Sequence, residues 1–452
     1  MEADVRVIQY LGSKLQILND IETEIEMLLP EGGIVCDAFS GSGVVAYKLA
    51  QKYTVYTNDI QEYAKVISDV LLQVNRDNCK DMKTYQDIIN TDFYIDNKNK
   101  LESIFGQALE YERSILECDD YDKLAELCEL NLFYDGSEIQ NKNKEKAKKI
   151  FGKAIDCFSI DYIQQLRENK EFYALFTLYF LNSYFSLEQC VEIDSLRYAL
   201  DKLLESKQIE RYEYEFLIVC LIHSISEVVS SVGKNFAQPI KVTDKKGKIK
   251  PFAIKRSMRD RKLKIGAFFE NIQERLINAS VISRENKAFC MNTLDLLSLD
   301  EMESVDVFYL DPPYTTDHYS RFYHILETLV KYDYPKLEKM KLMGKVKIMN
   351  GKYRDDRFQS NYCIPSKGYD EFERLISKIH SLGARIVMSY SEDDSDKDTR
   401  KRVINKQELV EMLKKYYTNV CVKNLEHRYK KLSAKDNNRK EMNNSELLII
   451  CR

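Results

Sequence analysis

The 452-residue sequence contains no tryptophan, only 7 prolines and 15 glycines, and no apolar run approaching the ~18 residues that cross a bilayer. So little proline and glycine leaves scant material for long flexible linkers. The start MEADVRVIQY has no apolar h-region of the secretory kind, so a cytoplasmic protein with no membrane attachment is expected. Eleven cysteines run from Cys36 to Cys451 without a single C-x-x-C pair, which argues against a zinc site or a disulfide framework and reads as reduced thiols. An excess of one charge is also missing. The 68 Lys+Arg against 72 Asp+Glu leave a net charge of -4, so the whole-chain balance selects no partner and only local clusters carry information. There is no internal repeat and no low-complexity tract. What is present, 44% hydrophobic and 31% charged residues, excludes disorder over the whole length and suits about three domain-sized units.

Residues 14–29 have apolar positions at helical spacing and end at Pro30 and Gly32-Gly33. Ile34 to Phe39 reads as a buried strand, Ser40-Gly41-Ser42-Gly43 as a turn, 44–51 as a helix and 53–57 as a second strand ending at Asn58-Asp59. This strand, Gly-rich turn, helix, strand unit is the opening of a doubly wound sheet. From about 62 to 232 long helical patterns dominate, among them 172–188 and 212–232. Strand-like segments return at 305–310, 384–390, 417–423 and 445–451, with a helix near 369–381. The pattern predicts one α/β domain interrupted after its second strand.

Two short segments carry chemistry. Gly41 and Gly43 permit a sharp turn and close approach of a ligand to the backbone, and a following helix N-terminus offers free N–H groups. Asp59, twenty-two residues beyond Asp37, ends the next strand, where a carboxylate can accept from both hydroxyls of a ribose. A nicotinamide enzyme would use the same shape. Asp37, however, precedes the glycines, where a dehydrogenase needs no acid; a carboxylate there suits a ligand bearing an ammonium group. The plain alternative is a turn-forming Asp. The second segment is Asp311-Pro312-Pro313-Tyr314, directly after the apolar run Val307 to Leu310. Two prolines end the strand and fix its last carbonyls. A carboxylate and a rigid carbonyl then form two acceptors suited to the two protons of an exocyclic amine, and Tyr314 offers an aromatic face.

Together these motifs resemble the Dam-like DNA adenine methyltransferases, which move a methyl group from S-adenosylmethionine to N6 of adenine. The hallmark D-P-P-Y stands at 311–314, the cofactor motif D-x-F-x-G-x-G at 37–43, and the N-terminal Y-x-G-[SN]-K signature at Tyr10-Leu11-Gly12-Ser13-Lys14. Residues 319–335 resemble the segment that follows D-P-P-Y in one branch, while Ser389-Tyr390 and Glu446-Leu-Leu-Ile match weaker motifs. The resemblance covers roughly 5–65 and 285–452. It implies a Rossmann-like class I methyltransferase sheet split by a large, mostly helical insertion. The catalytic domain would comprise 1–65 and 285–452, and the insertion 66–284.

By resemblance Asp311, Pro312 and Tyr314 are catalytic. Tyr10 and Lys14 belong near the carboxylate end of S-adenosylmethionine, Asp37 near its ammonium, Phe39, Gly41 and Gly43 in the cofactor turn, and Asp59 on the ribose. Asp295 is the expected acid at the cofactor adenine, with Asn292 as the alternative. No metal is required. The implied partner is double-stranded DNA, with a cognate restriction endonuclease as a further partner of a monomeric enzyme.

The stretch 234–264 holds twelve Lys/Arg against Asp244 and Asp260, a net of +10. Its centre, VTDKKGKIKPF, reads as a hairpin whose Lys245, Lys246 and Lys248, with Arg256, Arg259 and Arg261, are expected to reach DNA phosphates. Elsewhere such a stretch would read as a solvated loop. The order of motifs places target recognition within 66–284, most sharply at 234–264. His427-Arg428-Tyr429-Lys430-Lys431 is a second basic stretch. The aromatics Tyr319, Phe322, Tyr323, Tyr332 and Tyr334 suit either a base pocket or a core. Three other classes compete: an RNA or protein-amide methyltransferase, which more often shows N-P-P-Y; a nicotinamide dehydrogenase, which leaves D-P-P-Y unexplained; and a non-catalytic DNA-binding module, for which Asp37 has no purpose.

Overall fold

Seven strands form one sheet in a computed structural model that describes residues 5–10, 12–130, 132, 144–279, 281, 284–342, 345–391, 402–425, 429–430, 441–442 and 446–452. The strands are β1 (Ile34–Asp37), β2 (Thr54–Asp59), β3 (Lys287–Cys290), β4 (Val307–Leu310), β5 (Arg385–Ser391), β6 (Val420–Leu425) and β7 (Glu446–Cys451). Their spatial order is β3-β2-β1-β4-β5-β7-β6. The first five run parallel, and β7 lies antiparallel between β5 and β6. Strands β4, β5 and β7 are almost wholly buried, as their apolar runs require in a sheet covered on both faces. Phe308, Leu310, Ile386, Met388, Leu447 and Ile449 belong to one core cluster.

The order reverses between β1 and β4. Chain direction moves outward from β1 through β2 to β3, then begins again on the other side of β1. Beyond the carboxyl ends of two such strands an open α/β sheet leaves a crevice. The helices packed against the sheet include α1 (Leu18–Leu28), α2 (Val44–Ala50), α3 (Glu62–Gln73), the single turn α4 (Thr293–Leu296) and α5 (Gly368–Ser381).

Contacts divide the chain into two compact units, Met1–Lys80 with Leu276–Ser320 and Phe358–Arg452, and Asp81–Arg275 with Arg321–Arg357. The first carries the sheet. The second is mainly helical, with Leu187–Glu205 packed on Asp92–Glu117 and Arg211–Val228. The segment Arg321–Arg357, which the sequence pattern left with the catalytic part, packs within the helical unit. Arg197 donates to the carbonyls of Leu329 and Val330, and the Tyr179 hydroxyl to that of Pro335.

The run 172–188 is not one helix. Leu175–Tyr179 is followed by a turn, with Asn182 at φ 62°, before Leu187–Glu205 begins. Ser186 and Gln189 form a reciprocal capping box that starts the second helix. Phe176, Phe180, Tyr184 and Phe185 are all buried, so their spacing reports immersion on every side and carries no helical period. β3 ends at Cys290, and just beyond it the Asn292 side chain accepts from the Leu294 N–H and caps a helical turn. Among the described residues no helix is long and apolar enough to cross a membrane. Leu11, His427, Arg428 and Lys431 lie outside the described residues.

Candidate active site

β1 ends at Asp37, β4 at Leu310, and the two strands are hydrogen-bonded neighbours with Asp37 opposite Tyr309. The chemistry-bearing acids Asp37 and Asp311 therefore leave the sheet side by side. The turn after β1 is held by backbone bonds, with Ser40 donating to Asn58 and Gly43 to Ser40. Gly41 and Gly43 have φ of 50° and 73°, a region that other L-residues rarely adopt. A Cβ on Gly41 would come within 2.7 Å of the Tyr10 ring, so glycine is also required there by space. Asp59 ties this turn to the next strand, its two carboxylate oxygens accepting from the N–H groups of Gly41 (3.1 Å) and Gln61 (3.0 Å).

A cavity open to solvent lies beyond these strand ends. Tyr10, Lys14, Phe39, Asp59, Asp311, Pro312 and Tyr314 all line it. Asp37, Gly41 and Gly43 stand behind the lining. Asp295 does not join them: it is exposed on α4, whereas Asn292 lines the cavity. The helical turn that begins at Thr293 rotates the acid away. Asn58, which drew no attention in the sequence, is the clamp here. Its buried amide donates to the Met291 carbonyl and accepts from the Met291 N–H, fixing the segment that presents Asn292.

The electrostatics are unbalanced. Lys14 is buried, with its Nζ 3.1 Å from Asp311 Oδ1 and 3.4 Å from Glu446 Oε1. Burial opposes its charge, but the two carboxylates outweigh that effect and hold the ammonium well above its usual pKa. Ser389 donates to the same Asp311 oxygen at 3.0 Å and lies 3.0 Å from the Tyr309 hydroxyl. Burial pushes the Asp311 carboxyl up, against the pull of Lys14, and the Glu446 charge adds to the rise. Burial also pushes Asp37 to about 8, opposed by the Phe39 N–H and reinforced by the charges of Asp311 and Asp59. Asp311 and Glu446 thus share one lysine, with the buried Asp37 close enough to feel the Asp311 charge. A cavity with surplus acceptors and depressed acidity favours a cationic ligand.

Tyr314 is 8% exposed, with its ring 4.7 Å from that of Tyr390 and the Arg402 guanidinium 5.1 Å from its centre. Another wall, 358–363, escaped the sequence reading. Phe358 is an exposed aromatic there, Tyr362 meets Phe39 edge-on at 5.5 Å, and Cys363 donates to the Pro313 carbonyl. No local pattern announced this segment, because its role comes from packing on Phe39 and Phe372.

The basic stretch divides in two. Residues 243–249 close a short hairpin through a Thr243–Ile249 bridge, with Gly247 at φ 81° and Lys245, Lys246 and Lys248 exposed. Pro251–Lys262 is a helix, and its arginines are engaged internally. Arg261 is buried against Glu112 (3.2 Å) and donates to the carbonyls of Phe185 and Asn182. Arg256 donates to the Ser231 carbonyl and lies 3.5 Å from Asp260. Arg259 pairs with Asp260 but remains 65% exposed. Arg261 is therefore structural, since its guanidinium satisfies buried acceptors, whereas Arg256 and Arg259 stay partly exposed. Of the later aromatics, Tyr319 lines the cavity, whereas Phe322, Tyr323, Tyr332 and Tyr334 are core.

A sheet in this order with acids at its switch point is the Rossmann-like methyltransferase fold. The chain belongs to the D12 class N6 adenine-specific DNA methyltransferases, whose family model matches residues 10–145 and 157–388. It is similar to modification methylase LlaI of Lactococcus lactis subsp. lactis, 24% identical over 437 residues, which are 96% of this chain and 53% of that protein. Modification methylase StsI of Streptococcus sanguinis is 21% identical over 434 residues, 95% of this chain and 49% of that protein. The type II methyltransferase M.FokI of Planomicrobium okeanokoites is 22% identical over 392 residues, 85% and 45% respectively. The chain spans about half the length of these relatives.

Proposed function

We propose that this chain methylates N6 of adenine in double-stranded DNA, with S-adenosylmethionine as donor, as the modification arm of a restriction–modification system. The carrying observation is the adjacency of Asp37, Asp311 and Pro312 at the ends of two paired strands around one cavity. Surplus buried carboxylate suits the donor's ammonium and sulfonium charges. Asp37 and Tyr10 would hold its amino-acid end, Asp59 its ribose, and Phe39 with Asn292 its adenine. Bound there, S-adenosylmethionine supplies an electrophilic methyl group.

The rest falls to the protein. Adenine N6 is a weak nucleophile because its lone pair is delocalised into the purine. Accepting one N6 proton on the Asp311 carboxylate and the other on the Pro312 carbonyl draws the nitrogen toward tetrahedral geometry and localises that pair. Once alkylated, N6 carries one proton too many. Asp311 already accepts from it, and the raised proton affinity of this buried carboxyl suits it to take that proton. Lys14 and Ser389 hold the carboxylate in place meanwhile. The target base must leave the duplex, at a cost of a few kcal/mol. The exposed lysines of the 243–249 hairpin would hold phosphates.

The test is incubation of the purified chain with labelled S-adenosylmethionine and unmethylated genomic duplex, with a single-stranded RNA arm, followed by nucleoside analysis. N6-methyladenine from duplex DNA is expected. Label only in RNA, or none, overturns the reading. Asp311→Ala should cut the rate by about 10²–10³-fold or more while cofactor affinity stays within a few-fold.

A further inference from the structure

The helical unit contains a cleft of its own, walled in part by the basic hairpin. It is open to solvent, and four segments build it: residues 128–130, 182–183, 239–250 with the basic hairpin, and 348–352. Four lysines line it, Lys241, Lys245, Lys250 and Lys352. None forms an ion pair among the described residues. The two lining acids are already engaged. Glu129 accepts from the Thr243 hydroxyl at 2.5 Å, and Asp244 accepts from the backbone N–H groups of Lys246 and Lys248.

Two residues make this more than a charged surface. Lys352 is only partly accessible, sits at φ 49° in the turn that its N–H closes onto Met349, and has no acceptor for its ammonium among the described residues. Burial lowers its pKa to about 8, with the Cys190 thiol the charge partner that opposes the shift. Asn182 lines the same cleft and is 6% exposed, and neither its amide nitrogen nor its amide oxygen, both almost wholly covered, has a hydrogen-bond partner among the described residues. Buried polar groups are normally satisfied, and a fold that leaves an ammonium and an amide unpaired along one cavity is short of an acceptor there. Both residues also stand in the left-handed region, where strain tends to collect at functional sites.

We propose that this cleft seats a phosphodiester of the DNA backbone, with Lys352 and the Asn182 amide N–H as its inner contacts and Lys241, Lys245 and Lys250 at its rim. The inference rests on DNA being the substrate. A phosphate offers acceptors only, which is what the ammonium and the amide N–H lack. It adds Lys352, distant in sequence from the hairpin, to the DNA-binding surface, and gives the hairpin lysines a shared ligand.

The experiment compares the full chain with Lys352→Met and Lys352→Arg. Duplex binding is measured across a salt series, thermal unfolding without DNA, and the effect of millimolar inorganic phosphate on that unfolding. Lys352→Met should unfold no earlier than the native protein, because it removes an unpaired ammonium. It should nevertheless bind duplex more weakly and lose about 0.9 from the slope of log affinity against log salt, the share of one phosphate contact. Lys352→Arg should retain most of the affinity. An unchanged slope in Lys352→Met overturns the proposal, as does earlier unfolding with unchanged DNA affinity, which would make Lys352 a packing residue. Protection by inorganic phosphate that Lys352→Met abolishes, with DNA binding unaltered, also overturns it by assigning the cleft to a free anion. Methylation of the same duplex by the native protein, measured in parallel, separates failure of this inference from failure of the methyltransferase reading.

Discussion

The sheet unit and the helical unit bury charge in opposite ways. In the helical unit, outside the Lys352 cleft, the buried ions are matched. Arg261 faces Glu112, whose second oxygen accepts from the N–H groups of Leu187 and Glu188, and Arg197 pairs with Asp201 while donating to two carbonyls. Asp194 accepts from the N–H groups of Phe176 and Thr177 and from the Tyr332 hydroxyl. In the sheet unit Asp311 and Glu446 share Lys14, and the buried Asp37 feels the charges of Asp311 and Asp59. Matched ions fix one arrangement of chain, whereas an unmatched set stores affinity for something absent from the fold. Charge balance therefore separates architecture from chemistry better than charge itself does.

The contrast is broken most severely at Arg261. Arg261→Met leaves Glu112 buried alone and should cost about 3–5 kcal/mol in urea unfolding. Adding Glu112→Gln should recover part of that loss, and DNA binding per folded molecule should keep its salt slope. Stability unchanged with a shallower slope would return Arg261 to the DNA surface.

Asp37 offers the opposite case. Its folded pKa of about 8 lies above the unfolded carboxyl value of ~3.9. Its contribution to stability is therefore complete below pH ~4 and lost as pH rises through about 8. Asp37→Asn should remove that loss and unfold later than the native protein at pH 8.5. A charge-assisted bond of ~1.5–3 kcal/mol would go with it, weakening S-adenosylmethionine binding by roughly 10–100-fold at that pH. Calorimetry and equilibrium binding across pH 6–9 check both, and a variant that is less stable at high pH would place Asp37 among the matched ions.

Glu446 tests the shared lysine more gently. Its charge raises the proton affinity of Asp311, so Glu446→Gln should move the acidic limb of the kcat profile to lower pH. KM for DNA should stay unchanged; an unshifted limb would detach Glu446 from the chemistry. Smallest is Ser389→Ala, which removes one of the bonds holding Asp311 and should lower kcat by about fivefold, or ~1 kcal/mol.

Legibility in the sequence followed locality. Asp37, Gly41, Gly43 and Asp311 were readable because a strand end, a left-handed turn and a double proline encode their own geometry within a few residues. The choice between Asn292 and Asp295 was not, since one cap rotates the chain by part of a helical turn. The basic stretch misled where the partner was remote: Glu112 lies 149 positions from Arg261, and a count of charges cannot reveal it. The aromatics of 322–334 read equally as pocket or core because both bury rings. The membership of Arg321–Arg357 in the helical unit was hidden for the same reason, as it depends on carbonyls and hydroxyls that meet residues such as Arg197 and Asp194.

The strand order also has a consequence for biosynthesis. The edge of β1 that meets β4 stays without its partner until Val307 has been translated, after residues 81–275 of the helical unit. At ~5–20 residues per second the ribosome needs tens of seconds for that stretch. During that interval an apolar strand edge is available to other nascent chains. A chaperone that covers this edge would lower the risk of aggregation in that interval.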